Sequence, residues 1–252
     1  MRTYLLIAAL FLALPTHAAK VEQLPQRLVT QISADVTVDA QGQLQSIGEL
    51  SVPLDPQMRA AVIAEMHAVH IKPGRVDGQP AAVQTHLTVT LGLENGAVPG
   101  DFKMAVVDVT SGPKLGVARP PRYPKSLLNQ ERSALVMMRV QYDGDGKVLD
   151  AQIVSSSVPE HYIKREVMQV ALSWTFEPER VGGRGLAAYA LVPVRFTLDQ
   201  PVGEQFVVKL QSGSRLLFHP EPPKQEREAF ASVLEPEMDA GRQIVLDPAA
   251  GS

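Results

Sequence analysis

The stretch WTFEPERVGG, Trp174 to Gly183, has an earlier counterpart in VHIKPGRVDG, Val69 to Gly78. Isoleucine stands where the later stretch has phenylalanine, while the proline, arginine, valine and final glycine recur in register. A chain that writes one turn twice calls for a search around both copies, because self-similarity at a fixed spacing marks a duplicated supersecondary unit.

Periodicity is plainest around the later copy. Val136, Met138, Val140 and Tyr142 alternate with Met137, Arg139 and Gln141, which reads as a strand with one buried face. Asp143 to Gly146 spells DGDG, a hairpin turn, and a return strand is expected over Lys147 to Val154. Ser155 to Ser157 offer a helix N-cap and Pro159 suits a first turn. Ile163, Val167, Val170, Ala171 and Trp174 then form an apolar helical stripe. Glu177-Pro178 breaks that helix, Gly182-Gly183 turns the chain, and a last strand carries Ala190, Val192, Val194 and Phe196 on one face.

The same order runs through the earlier copy. Ile32, Ala34, Val36 and Val38 match the first strand, and Asp39 to Gly42 match the turn. Pro56 opens a helix whose Met58, Val62, Met66 and Val69 stand where Ile163, Val167, Ala171 and Trp174 stand later. Leu87, Val89, Leu91 and Leu93 supply the closing strand. Matched positions lie 104 residues apart before the helix and 105 apart from it onward, so one residue separates the two spacings. The expected fold is α+β: two β-β-α-β units, each a small antiparallel sheet with one helix packed on it, over 19–93 and 119–198.

The intervening span 94–118 is richer in glycine and proline and reads as a linker, with Met104 to Val109 as a short strand inside it. Beyond Leu198 a C-terminal extension, 199–252, offers a hairpin at Phe206–Leu210 and Arg215–Phe218. An extended linker HPEPPK follows at His219–Lys224, then a short helix over Glu226–Leu234 and a frayed end.

The first 18 residues stand apart. Arg2 precedes an apolar run from Tyr4 to Leu14, and Thr16-His17-Ala18 ends in a small residue, the layout of a secretory signal cut after Ala18. The run falls short of the roughly 20 apolar residues that span a bilayer. The whole chain carries 24 basic and 27 acidic residues, and loss of a leader holding Arg2 moves the formal charge from −3 to −4. That sign disfavours nucleic acid and anionic membrane surfaces as partners. Cysteine is absent, so no disulfide framework staples an exported product.

With these residues in view, the later copy resembles the TonB C-terminal domain family, from about Arg119 to Phe196. Five pieces carry the resemblance in order: PPRYP at Pro120–Pro124, DGDGKV at Asp143–Val148, IVSSS at Ile153–Ser157, W-x-F-x-P at Trp174–Pro178, and VPVRF at Val192–Phe196. The earlier copy lacks the Tyr-Pro pair and the tryptophan and reads as a degenerate relative. The resemblance implies a periplasmic protein-binding module engaging an extended segment, foremost of a TonB-dependent outer-membrane transporter in transport. Family members carry an uncleaved N-terminal anchor and a long proline-rich span, and this sequence shows neither. Binding is therefore expected, and energy transduction is not. The reading from another class is a structural envelope scaffold that holds the cell wall or other periplasmic proteins.

No catalytic constellation emerges, and no cofactor is expected. His67 and His70 lie three apart without the H-E-x-x-H pattern of a zinc site. The serine run lacks a G-x-S-x-G elbow. Gly182, Gly183 and Gly185 precede a strand, not the helix that a phosphate cradle needs. Glu177 and Glu179 flank Pro178 as expected solvated turn charges, and Trp174 continues the core stripe.

The strand through Phe196 turns Tyr189, Leu191, Pro193 and Arg195 outward. Pro193 cannot donate to a ladder, and proline inside a strand points to a sheet edge. An edge is a template for adding a peptide strand. The partner surface is expected there, and the resemblance adds Arg122, Tyr123 and Pro124 beside it. The second unit, the tail hairpin or an identical chain in a homodimer would serve equally to cover that edge. The mature protein is expected to begin near Ala19. N-terminal sequencing of periplasmic extract checks this, and recovery of the intact chain with the inner membrane would refute it.

Overall fold

The computed structural model describes residues 11–13, 24, 27–72, 74–76, 78–97, 102–198, 206–209, 215–221, 229–230 and 235–237. Buried apolar residues fall into two clusters, one built from the chain before residue 110 together with Leu216 and Phe218, the other from Leu127 to Phe196.

In the first part, β1 (Leu28–Val38) pairs with β2 (Leu44–Ile47) at its end and with β3 (Val83–Asn95) along its whole length, all antiparallel. Helix α1 (Pro56–Ala68) starts where Asp55 accepts hydrogen bonds from the Gln57 and Met58 amides, both at 3.0 Å. Proline at the first helical position costs nothing there, since that amide has no helical partner. Met58, Val62 and Met66 are buried in the same cluster as the β1 and β3 residues.

The second part follows the same order. β5 (Ala134–Tyr142) lies between β6 (Val148–Ser156) and β7 (Ala188–Phe196), again antiparallel. Helix α3 (Lys164–Ala171) buries Val167 and Ala171 against that sheet, with Ile163 just before it and Trp174 just after it also buried. The Trp174 indole N–H donates to the Arg119 carbonyl at 3.0 Å, so the large ring is buried with its polar atom satisfied. A single helical turn, α2 (Lys125–Leu128), precedes β5.

Both strand turns close through the same bonds. Asp39 accepts from the Gln41 and Gln43 amides, and Asp143 accepts from the Asp145 and Lys147 amides. Gly42 and Gly146 take φ of 83° and 82°, a conformation in which only glycine avoids a steric penalty. The two copies of the opening motif are also alike: Arg75–Val76 pairs with Gln79–Pro80, and Arg180–Val181 pairs with Arg184–Gly185. In each hairpin the arginine donates to a glycine carbonyl three residues on, Arg75 to Gly78 at 2.9 Å and Arg180 to Gly183 at 3.2 Å.

Several expectations need correction. The span 94–118 is more than a linker, because it carries β4 (Phe102–Gly112), which pairs with β3 from Asn95 to His86. A register shift opposite Thr90–Leu91 leaves Val107 without a partner, so burial moves from Phe102, Met104 and Val106 to Val109. That bulge breaks the period-two signal. The serines do not cap α3: Ser156 accepts from Val158, Ser157 accepts from Leu135, and no side chain caps the helix. A 3₁₀ turn, Glu160–Tyr162, takes up the chain between them.

Instead of lying in a helix over Glu226–Leu234, Ala229–Phe230 is extended and paired to β7 at Ala190 and Leu191, and the rest of that span lies outside the described residues. Open sheet groups there outweigh a weak local helical preference. The tail hairpin is present as Phe206–Lys209 against Arg215–Pro220, whose last residues pair with β1 at Leu28 and Val29. His219 and Pro220 thus belong to a strand, the rest of the expected HPEPPK linker beyond Glu221 lies outside the described residues, and so does the expected frayed end. Within the expected leader, Phe11–Ala13 pairs with Val207–Lys209, and the remainder of the leader is outside the description. Among the described residues no helix is long and apolar enough to cross a membrane.

Trp174→Ala is expected to cost about 3–5 kcal/mol, the range for large aromatic truncations in cores. Thermal and urea unfolding monitored by circular dichroism measure it, and an unchanged melting curve would contradict the packing described.

Candidate functional site

Two regions bring polar side chains together, the seam between the sheets and the outer edge of β7. The seam is built by the motif that opens the sequence. Phe176–Glu177 pairs with Lys114–Leu115, and Arg180–Val181 pairs with Val83–Gln84 at the start of β3, so the hairpin of the second part extends the sheet of the first. Phe176 stacks on Tyr142 with centroids 4.6 Å apart and planes 20° from parallel. Burial first, and then the Glu179 carboxylate, hold the Tyr142 hydroxyl well above the usual phenol range.

Glu179 is 4% exposed, which overturns the expectation of a solvated turn charge. Its carboxylate accepts from the Thr85 hydroxyl at 2.7 Å, and the Thr85 oxygen also accepts from the Gly112 amide at 3.1 Å. Glu177 does remain exposed and pairs with Lys114 at 3.1 Å, a contact that raises the lysine pKa.

Beside this pair lies a cavity of about 490 Å³ lined by residues of both parts. Asp35 and the His86 Nδ1 meet there at 2.9 Å, with Lys114, Glu177, Asp145 and Arg180 around them. Asp35 and His86 are paired with each other, as are Lys114 and Glu177. Among the described residues no group of three potential metal ligands occurs. His67 is exposed, and His70 lies in a strand opposite Glu237.

Sequence reading passes over Asp35, Thr85 and Lys114, and gives His86 no role. Asp35 and His86 alternate outward on their strands while Thr85 shares the buried phase of Val83 and Leu87, and nothing local says that a second sheet's hairpin meets them.

The edge is set by backbone alternation. The Ser157 amide donates to the Leu135 carbonyl at 3.0 Å. Main-chain groups alternate sides along a strand, so Leu135, Met137, Arg139 and Gln141 face β6, and Val136, Met138 and Val140 face β7. Their partners Val194, Val192 and Ala190 point back at them. Tyr189, Leu191, Pro193 and Arg195 therefore direct their main-chain groups away from β5, and proline stands where its missing amide opens no gap in the β5 ladder.

The expected partner-binding residues separate along this strand. The Tyr123 ring meets Phe196 edge-on at 5.7 Å, and its hydroxyl donates to the Arg132 carbonyl at 2.8 Å. Pro124 is buried as the residue that opens α2, and Arg122 is exposed. These three lie by the Phe196 end. Tyr189, with the Arg139 guanidinium 4.6 Å above its ring, lies about 23 Å away along the strand at roughly 3.3 Å per residue. Leu191 and Pro193 are half-buried between these ends, and Arg195 is exposed.

An antiparallel sheet with one helix behind it and a polar-rimmed edge in front has the build of a small binding domain. Residues 119–198 match the family described as Gram-negative bacterial TonB protein C-terminal. The chain is also similar to the solution NMR structure of the Pseudomonas aeruginosa TonB CTD. That likeness is 27% identical, covers 35% of this chain and 88% of that one, and has a TM-score of 0.30. No curated protein matches the chain. Over residues 119–198, about a third of the chain, the similarity is to the TonB C-terminal domain family. Domains of this family are periplasmic interaction modules that bind envelope proteins.

Thr85→Val removes one donor to a buried carboxylate and the acceptor for Gly112, and is expected to cost about 1–3 kcal/mol. Thr85→Ser, which keeps the hydroxyl, is expected to retain most of that stability. Equal unfolding midpoints for Val and wild type would show that this bond does not hold the seam.

Proposed function

We propose that the chain is a TonB-like protein-binding module of the periplasm, without catalytic activity. In this reading β7 receives an extended segment of an envelope protein, foremost the N-terminal segment of a TonB-dependent outer-membrane transporter. The leader is removed by cleavage after Ala18, and two β-β-α-β units of common origin follow, the first degenerate and the second bearing the site. The alike turns, helix stripes and hairpins of the two parts support that duplication.

One observation carries the binding proposal. β7 pairs with β5 at all nine of its positions, whereas on its outer side pairing reaches only Ala190 and Leu191 among the described residues. An incoming strand would gain main-chain bonds at Tyr189 and Leu191, and side-chain contacts with Tyr189, Leu191, Pro193 and Arg195. Arg122, Tyr123 and Pro124 form the far end of the track. The same edge would serve an identical chain in a homodimer.

Leu191→Pro deletes an amide that points outward, so the β5–β7 ladder should survive it. The expected result is about tenfold weaker binding to a synthetic transporter N-terminal segment, what one or two net backbone bonds are worth. Titration calorimetry measures the affinity and a melting curve checks the fold. A folded Leu191→Pro chain that binds at full affinity removes this edge from consideration. Retention of wild type on purified cell wall, with no affinity for the peptide, favours the scaffold reading.

A further inference from the structure

The outer side of β7 is already touched by another strand, and that strand comes from the same chain. Ala229 stands opposite Leu191 and Phe230 opposite Ala190, antiparallel. Leu191 is one of the residues whose main-chain groups point outward, so Leu191 and Ala229 form the pair able to exchange both ladder bonds. The contact falls near the middle of β7. With Ala229 in place, no strand can run uninterrupted from Tyr189 to Arg195.

A few residues on, Glu235–Glu237 pairs with His70–Lys72, with Glu235 opposite Lys72 and Glu237 opposite His70. The C-terminal extension therefore bridges the two parts, touching the site in one and the first copy of the repeated motif in the other.

We propose that this extension is an intramolecular occupant of the partner edge, so that an extended peptide binds β7 by displacing Ala229–Phe230. The inference rests on the reading of β7 as the partner strand. Its physical logic is a difference of lengths. Among the described residues the tail pairs at two positions of a nine-residue strand, a short contact whose standing comes from being tethered. A longer segment offers contacts from Tyr189 to Arg195 beyond the two positions that Ala229–Phe230 pairs. The tether at Glu235–Glu237 keeps the displaced residues close, so the edge closes again when the partner leaves. An uncovered edge is a liability in a crowded envelope, and a weak internal cover limits non-specific pairing while admitting a better ligand.

The test uses the full mature chain and its Ala229→Pro variant, which loses the amide opposite Leu191. Two readouts are taken: hydrogen exchange at the Leu191 amide, and binding of a fluorescent peptide with the sequence of residues 226–237. Leu191 exchange should speed up about tenfold in the variant, and the added peptide should bind it about tenfold more tightly than wild type, the worth of one or two backbone bonds. Unchanged exchange at Leu191 overturns the inference, because the tail then does not cover the edge. Faster exchange with unchanged peptide affinity overturns it too, since the cover would not then compete. If both readouts move while a transporter segment binds neither form, the internal occupant stands and the identity of the partner proposed above falls.

Discussion

A carboxylate enclosed between two sheets must be met by donors, or the interface that encloses it does not close, and Glu179 is that carboxylate here. Its bond to Thr85 joins the hairpin of the second sheet to a strand of the first. The geometry around it follows from that requirement. Once Glu179 reaches Thr85, Arg180–Val181 lies alongside Val83–Gln84 and extends the first sheet, and Phe176 comes to rest on Tyr142. The cavity with Asp35, His86, Lys114 and Glu177 is what remains beside the joint. Burying a charge costs stability unless it is well partnered, so this joint favours one register of hairpin on strand over its neighbours.

The recurrence of the turn has a physical content beyond resemblance. In both copies a proline precedes a tight hairpin, and an arginine at the hairpin's first strand donates to the carbonyl of a glycine in the turn. The copies then diverge in what they touch. The later hairpin docks on a neighbouring sheet, whereas the segment before the earlier one is met by the C-terminal extension. One local solution, stable through its own bonds, serves two different surroundings.

Much of this is legible in the sequence where the code is local. Period-two alternation marks β5 and the buried face of β7, the helical stripes mark the faces that reach the sheets, and Asp-x-x-Gly marks both strand turns. Pro193 alone signals which side of β7 faces outward, because a missing amide is tolerable only there. What escapes is set by distant contacts. The bulge at Val107 shifts the burial phase of β4 and hides its alternation. Glu179 looks like any turn charge until Thr85 is seen across the seam. Ala229–Phe230 carries no strand signal of its own and becomes one only by lying on an existing edge.

Pro193 bears also on the solubility of the protein. Edge-to-edge growth of β-sheets into fibrils needs an unbroken row of donors that each new strand can copy. On the outer side of β7 that row is broken at Pro193, between Leu191 and Arg195. A peptide that makes a few bonds beside the gap can still be accommodated, whereas indefinite stacking of identical chains meets a missing rung at every repeat. The residue that makes this edge recognisable as an edge also keeps it from seeding aggregation.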